Sequence, residues 1–211
     1  MAITYPINLP TSGITSVTFD FKNANIISRS PFSYQGQVQN WGGTLITASV
    51  TVDGVGRDHA EQWIAALTSL RGSMGTFLLG DPMGQNPRGN LPAGVNSVSV
   101  DVRAETGATE LAVIRAASPN TKILSAGDWV ATQTTSSGNR RMYKVLKDVT
   151  LDADGKGVVD IWPPLKWTAT VGNSVFVRDV KTLFRLSSGT FNYSIDSTNR
   201  YSIQFNCEEA I

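Results

Sequence analysis

The sequence predicts a mainly β protein: a β-sandwich-like domain with one α-helix and an extended hairpin arm, plus an inserted small β-barrel or sandwich. Three observations lead there. Apolar and polar residues alternate with period two in many segments, the mark of half-buried strands. A single segment, RDHAEQWIAALTSLRG, has helical period. After about residue 90 the chain breaks into short apolar runs divided by turn residues, and long alternating runs return near the C-terminus.

Taken in order, SVTFDF puts Val17, Phe19 and Phe21 on one face, and LITASVTV does the same with Ile46, Ala48, Val50 and Val52. Both read as antiparallel strands with one buried side. The polar stretch Ser30 to Gly43 between them is either a long hairpin arm or a loop that orders against a partner. Its candidate interface residues are Phe32, Tyr34, Gln37, Gln39 and Trp41. The helix is expected over about 58–71, with Ala60, Trp63, Ile64, Leu67 and Leu70 on one stripe. Asp58 and Glu61 suggest a capping box, Arg71 a cation in the last turn, and Gly72 a left-handed stop.

GTFLLGD then reads as a short strand, and VSVDV, ELAVIR, AGDWVAT, RMYKVLKDV, VVDIW and SVFVRD as further short strands. VSVDV places Val98, Val100 and Val102 on one face, and DADGKG is a hairpin signal. Many short strands with frequent turns suggest a compact barrel or sandwich. Finally FNYSI and YSIQFNC flank the turn DSTN, with Phe191, Tyr193 and Ile195 on one face and Tyr201, Ile203, Phe205 and Cys207 on another. A hairpin alone is marginal in water, so this one needs a sheet to join. The N-terminal strands and helix offer it. Residues 1–85 and 181–211 are therefore expected to form one discontinuous domain, and 86–180 an insertion whose two crossings, near Asp81 and Val180, run side by side.

Composition narrows the function. Of 211 residues, 17% are charged, and the formal net charge is +1. Phosphate neutralisation needs a basic face, so a nucleic-acid binder is disfavoured. The low charge with abundant Ser, Thr, Asn and Gly suits a β protein with extensive protein contacts. One cysteine, Cys207, excludes an internal disulfide framework and a multi-cysteine metal site. No run approaches the roughly 20 apolar residues of a membrane span, and the start, MAITYPINLP, lacks the basic and apolar regions of a signal peptide. A soluble protein folding in a reducing cytoplasm is expected.

No catalytic motif emerges, and no cofactor, metal or enzymatic activity is expected. GDPMGQNPRG, within Phe77 to Asn90, is not a P-loop: no Lys-Ser or Lys-Thr follows, and Pro82 and Pro87 lack the N–H groups a phosphate nest uses. The only histidine, His59, falls in the first turn of the helix, and Cys207 alternates in phase with core residues. DADG lacks the third acidic ligand and closing Glu of a calcium loop. Arg140, Arg141 and Lys144 read as a solvated strand end, and Asn192-Tyr193-Ser194 is a sequon without a secretory context. Of the tryptophans, Trp63 belongs to the core, and Trp129 and Trp162 fall inside strands. Trp41 and Trp167 are the candidate exposed aromatics for glycan or partner contact.

The segments SPFSYQGQVQNWGG, EQWIAALTSLRGSMGTFLLGDP, LSAGDWV, RMYKVLKDV, DGKGVVDIWPPL and LFRLSSGTFNYSIDSTNRYSIQFNCEEA, in this order, resemble the distal tail proteins of long-tailed bacteriophages. The resemblance covers nearly the whole chain, and GTFLLGDP, AGDWV and DIWPPL carry most of its specificity. It implies a structural virion protein of the tail tip, made in the host cytoplasm. In such proteins a β-rich domain with one helix and an extended hairpin forms a ring, usually hexameric, that continues the tail tube and docks the baseplate hub. The implied partners are further copies of the chain, the tube protein, the hub, the tape measure protein and side fibres, with no membrane and DNA only as passing cargo. A second β domain, barrel or galectin-like, carries receptor-binding or fibre components. Here that domain is inserted rather than appended, a departure from the commonest arrangement. The alternatives are a carbohydrate-binding β module and another minor tail or tube subunit.

Overall fold

The computed structural model describes residues 3–133 and 140–210. The elements, in chain order, are β1 (Ile7–Asn8), β2 (Ile14–Arg29), β3 (Gly36–Val55), α1 (Arg57–Ser69), β4 (Phe77–Gly80), β5 (Ser97–Val100), β6 (Glu110–Ile114), β7 (Lys122–Leu124), β8 (Trp129–Gln133), β9 (Arg140–Val145), β10 (Val149–Thr150), β11 (Lys156–Trp162), β12 (Ser174–Phe176), β13 (Lys181–Leu186), β14 (Asn192–Ile195) and β15 (Tyr201–Glu209). The protein is mainly β, as the alternation predicts. Seven strands form one sheet in the order β1-β4-β13-β15-β3-β2, with β14 added on β15. Six others close a barrel, β11-β6-β5-β12-β8-β9, and β7 pairs with β10. By its contacts the chain divides into two compact units, Met1–Phe77 with Phe184–Ile211, and Leu78–Leu183.

In the first unit the register of β15 on β3 makes the core. Ile203 lies opposite Val52, Phe205 opposite Val50 and Cys207 opposite Ala48, so the apolar positions of both strands share one face. Helix α1 lays Ala60, Trp63 and Leu67 against that face. The Trp63 and Phe205 rings lie 6.1 Å apart, and Phe77 meets Phe205 edge-on at 6.1 Å and stacks on Phe184 at 6.4 Å. Trp63 is fully buried, and its indole N–H donates to Ser12 O at 2.9 Å, so no polar group is stranded.

The helix ends differ from expectation. The N-cap is Gly56, with no side-chain cap bond, and Asp58 lies inside the first turn. The expected capping box is not made; instead Glu61 pairs with Arg57 one turn back at 3.6 Å. At the other end Arg71 itself turns left-handed (φ 53°), followed by Gly72 (φ 74°), so Arg71 lies beyond the last turn rather than in it. Packing adds to this preference: a Cβ on Gly72 would come 3.3 Å from the Gly189 carbonyl oxygen. The β14–β15 hairpin forms around Asp196, whose Oδ1 accepts N–H bonds from Thr198 and Arg200, both at 2.8 Å. Its first strand, however, is exposed throughout, and Tyr193 and Ile195 are not core residues. β14 lies alongside Tyr201–Gln204, and there Tyr193 only stacks on Tyr201 at 6.5 Å.

The second unit is a barrel filled by alternate side chains of its strands. Val98, Val100, Leu111, Val113, Val130, Tyr143, Val145, Val159, Ile161 and Val175 belong to one buried cluster. β5 stops at Val100, and Val102 is exposed because the chain leaves the barrel wall to pair Ala104 with Ala169. The DADG turn is closed by Asp152, which bonds the backbone of Asp154 and Lys156 through Oδ1. That carboxylate is thus used within its own turn.

Candidate functional site

The stretch Ser30 to Gly43 is the outer part of a two-stranded arm. From Asn25 to Arg29, β2 pairs only with Gly36–Asn40 of β3, and both strands are exposed there. The tip is a turn organised by Ser30. Its Oγ accepts N–H bonds from Phe32 (3.3 Å) and Ser33 (3.4 Å), its carbonyl accepts from Tyr34 at 2.9 Å, and Tyr34 takes a left-handed φ of 54°. This turn leaves Phe32 95% exposed, with Tyr34 also on the surface. Nearer the root, the pairing shifts between Asn23 and Asn25. The strand opposite absorbs Trp41, Gly42 and Gly43 there; Gly42 is left-handed (φ 71°) and donates its N–H to Asn40 Oδ1 at 2.9 Å. The irregularity leaves Trp41 67% exposed.

Gln37 and Gln39 lie opposite Ser28 and Ile26, on the arm's other face from the directly opposed pair Ile27 and Val38. Ile26, Ile27 and Val38 are all exposed. Sequence reasoning missed these three: the apolar pair Ile26 and Ile27 inside NANIISR breaks the alternation that marks a one-sided strand, and Val38 stands within a polar stretch. That same two-sidedness was the available signal. Between Asn23 and Gly43 the only charge is Arg29. The arm therefore combines a β2 stretch, Asn25–Arg29, with no strand beyond it among the described residues, five exposed apolar or aromatic side chains beyond its bulge, and almost no charge. Edge strands that stay unpaired are usually protected by charges, prolines or brevity.

Trp167 does not join this set. It lies in the other unit and is only half-exposed, its indole nitrogen covered. The backbone beside it is pinned by the Ala104–Ala169 pair (3.0 and 2.8 Å) and by Thr168 Oγ1 donating to Glu105 at 2.8 Å. It is not an exposed aromatic. Arg140, Arg141 and Lys144 are not a solvated strand end either. Arg140 lies 3.6 Å over the Phe176 ring, Arg141 is buried, and Lys144 lies 4.0 Å over the Trp129 ring. Burial lowers the Lys144 ammonium pKa below the ordinary lysine value, against the pull of Asp81 and Asp128.

The segment Phe77 to Asn90 is built into the barrel unit from Leu78 onward. A Cβ on Gly80 would come 2.1 Å from Val180 O, so the outgoing and returning chains touch there, and Asp179 N–H donates to Gln85 O at 2.8 Å. Asp81 accepts the Trp129 indole N–H at 3.0 Å. Arg88 donates through its backbone N and its Nε to the buried Asp128, both at 2.9 Å. Asp128 also accepts from Ser125 N at 2.8 Å. These carboxylates have partners in the fold.

No cluster of three or more His, Cys, Asp or Glu capable of holding a metal occurs among the described residues, and no helix of them is long and apolar enough to cross a membrane. His59 is exposed on α1. Cys207 is buried in the sheet core, its thiol pKa pushed up to about 12 by desolvation, and its Sγ lies 3.4 Å from Ala48 O. No protein-family model matches the chain, and no curated protein matches it.

Proposed function

We propose that this chain is a structural subunit that assembles into a closed homo-oligomeric ring at the distal end of a phage tail, joining the tail tube to the baseplate hub and to receptor-binding components. The observation that carries the reading is the arm. A two-stranded ribbon with apolar groups on both faces and one charge is marginal alone in water, so a second surface must cover it. A neighbouring copy is the occupant this reading assigns. Where β14, β15, β3 and β2 run together, β14 and β2 stand at the two ends among the described residues. Contact between the β2 edge of one copy and the β14 edge of the next is heterologous, and it repeats until the rotation closes a ring. The function is then geometric: repeated contacts set the ring, and its two faces meet different partners. The ordered resemblance to distal tail proteins supplies the tail context.

Light scattering and negative-stain imaging of the full chain test the reading. A ring with a central hole is expected. A strictly monomeric protein that is also absent from assembled tails would overturn it.

A further inference from the structure

We infer that the outward face of the β14–β15 hairpin holds a binding site for one uncharged sugar residue. The site is a cavity of about 120 Å³ between that face and the chain joining β13 to β14. Its lining includes Ser188, Thr190, Phe191, Asn192, Gln204 and Asn206. The placement follows from period two along β15. Ile203, Phe205 and Cys207 point into the core, so Gln204 and Asn206 point the other way, and Asn192 lies directly opposite Gln204. Three side-chain amides are thereby gathered on one small patch, while the backbone groups beside them are engaged in the ladder.

The chemistry of this set selects the ligand. Each amide presents a carbonyl acceptor and two N–H donors. Neighbouring sugar hydroxyls, each both donor and acceptor, are the natural complement. The Ser188 and Thr190 hydroxyls, already 3.1 Å apart, add a second pair of two-way groups. No charged side chain lines the cavity, so nothing in it would repay the desolvation of a phosphate, a carboxylate or an ammonium. The volume is small beside the roughly 300–1,000 Å³ of drug-sized pockets. It admits one edge of a single sugar, held weakly at the surface. This inference does not depend on ring assembly, since every residue named belongs to one copy.

Saturation-transfer NMR on the full chain, with the methyl glycosides of glucose, galactose, N-acetylglucosamine and rhamnose as probes, tests it. Transfer to the ring protons of at least one glycoside is expected, with binding weakened about tenfold or more in Gln204→Ala. Asn192→Ala, on an exposed edge strand, should weaken it likewise and guards against a folding defect in the first variant. No transfer to any of the glycosides would overturn the proposal. So would transfer that survives unchanged in both variants, provided their circular dichroism matches the parent. Failure here leaves the particle images untouched, and failure to form rings leaves the saturation-transfer result untouched.

Discussion

The indole N–H of Trp129 donates to Asp81 Oδ2 at 3.0 Å, and the same ring carries Lys144 Nζ 4.0 Å above it. One aromatic side chain of the barrel thus holds the first residues of the incoming segment by its edge and a cation by its face. Gly84 has to be glycine for this: a Cβ there would come 2.8 Å from the Asp81 carboxylate and 2.9 Å from the indole. Trp129→Phe keeps the ring and removes the donor. It is expected to destabilise the protein by about 1.5–3 kcal/mol, the range for a hydrogen bond to a charged group. Urea unfolding checks this, and an unchanged midpoint would show the bond to be incidental.

Asp128 is buried and accepts three hydrogen bonds, two of them from Arg88. Asp128→Ala leaves the Ser125 and Arg88 backbone N–H groups without their acceptor. A loss of about 2–3 kcal/mol is expected, moderated because the Arg88 side chain is largely exposed. Arg88→Ala should cost less, since the backbone N–H of residue 88 still reaches the carboxylate. The order of the two thermal midpoints is the test.

Gly89 packs directly on β7: a Cβ at that position would come 2.2 Å from Ile123 O, a backbone atom that no side-chain rotation can clear. Gly89→Ala is expected to destabilise by about 1–3 kcal/mol or more. Gly54→Ala, where a Cβ would meet nothing within 4 Å but φ is +68°, isolates the cost of backbone strain alone. Comparison of the two denaturation curves separates crowding from strain.

Ile27 and Val38 oppose each other on the arm, both exposed. Ile27→Lys with Val38→Lys should leave the stability of the single chain within about 0.5 kcal/mol, as surface changes do. Assembly measured by light scattering should be lost. Intact rings in the double variant would remove the arm from the interface.

The Cys207 thiol has its pKa raised from 9.0 to about 12 by burial. The folded state therefore favours the protonated thiol. Its contribution to stability is complete below about pH 9 and is lost as pH rises toward 12. A thiol reagent should find no reactive cysteine in the native protein at neutral pH and one after denaturation. At the β14–β15 turn the sign is opposite. Backbone and hydroxyl hydrogen bonds from Arg200 and Thr198 lower the Asp196 pKa, so the turn should hold at neutral pH and loosen as acid protonates the carboxylate. Hydrogen exchange at Thr198 and Arg200 reports it.

Local pattern determined much of this protein. Alternation along LITASVTV and YSIQFNC marks the residues that form the core, because successive side chains of a strand face opposite ways. The single helical stripe of Trp63 and Leu67 marks the face of α1 that covers them. Asp152 and Asp196 announce their turns because a short carboxylate bonds its own backbone. Tertiary structure alone decided the rest. Whether the polar stretch after Ser30 is strand or loop depended on pairing across residues that show no one-sided pattern. The half-buried position of Trp167 and the exposure of Tyr193 on β14 were likewise set by where the folded chain places those strands and loops. Asp81 marked a chain crossing and Arg88 lay in a connecting stretch, yet the partners that engage them lie about 40 to 50 residues away, at Trp129 and Asp128. Sequence spacing carries information about neighbours on one strand or helix. It carries none about which distant carboxylate or ring the closed chain will place beside them.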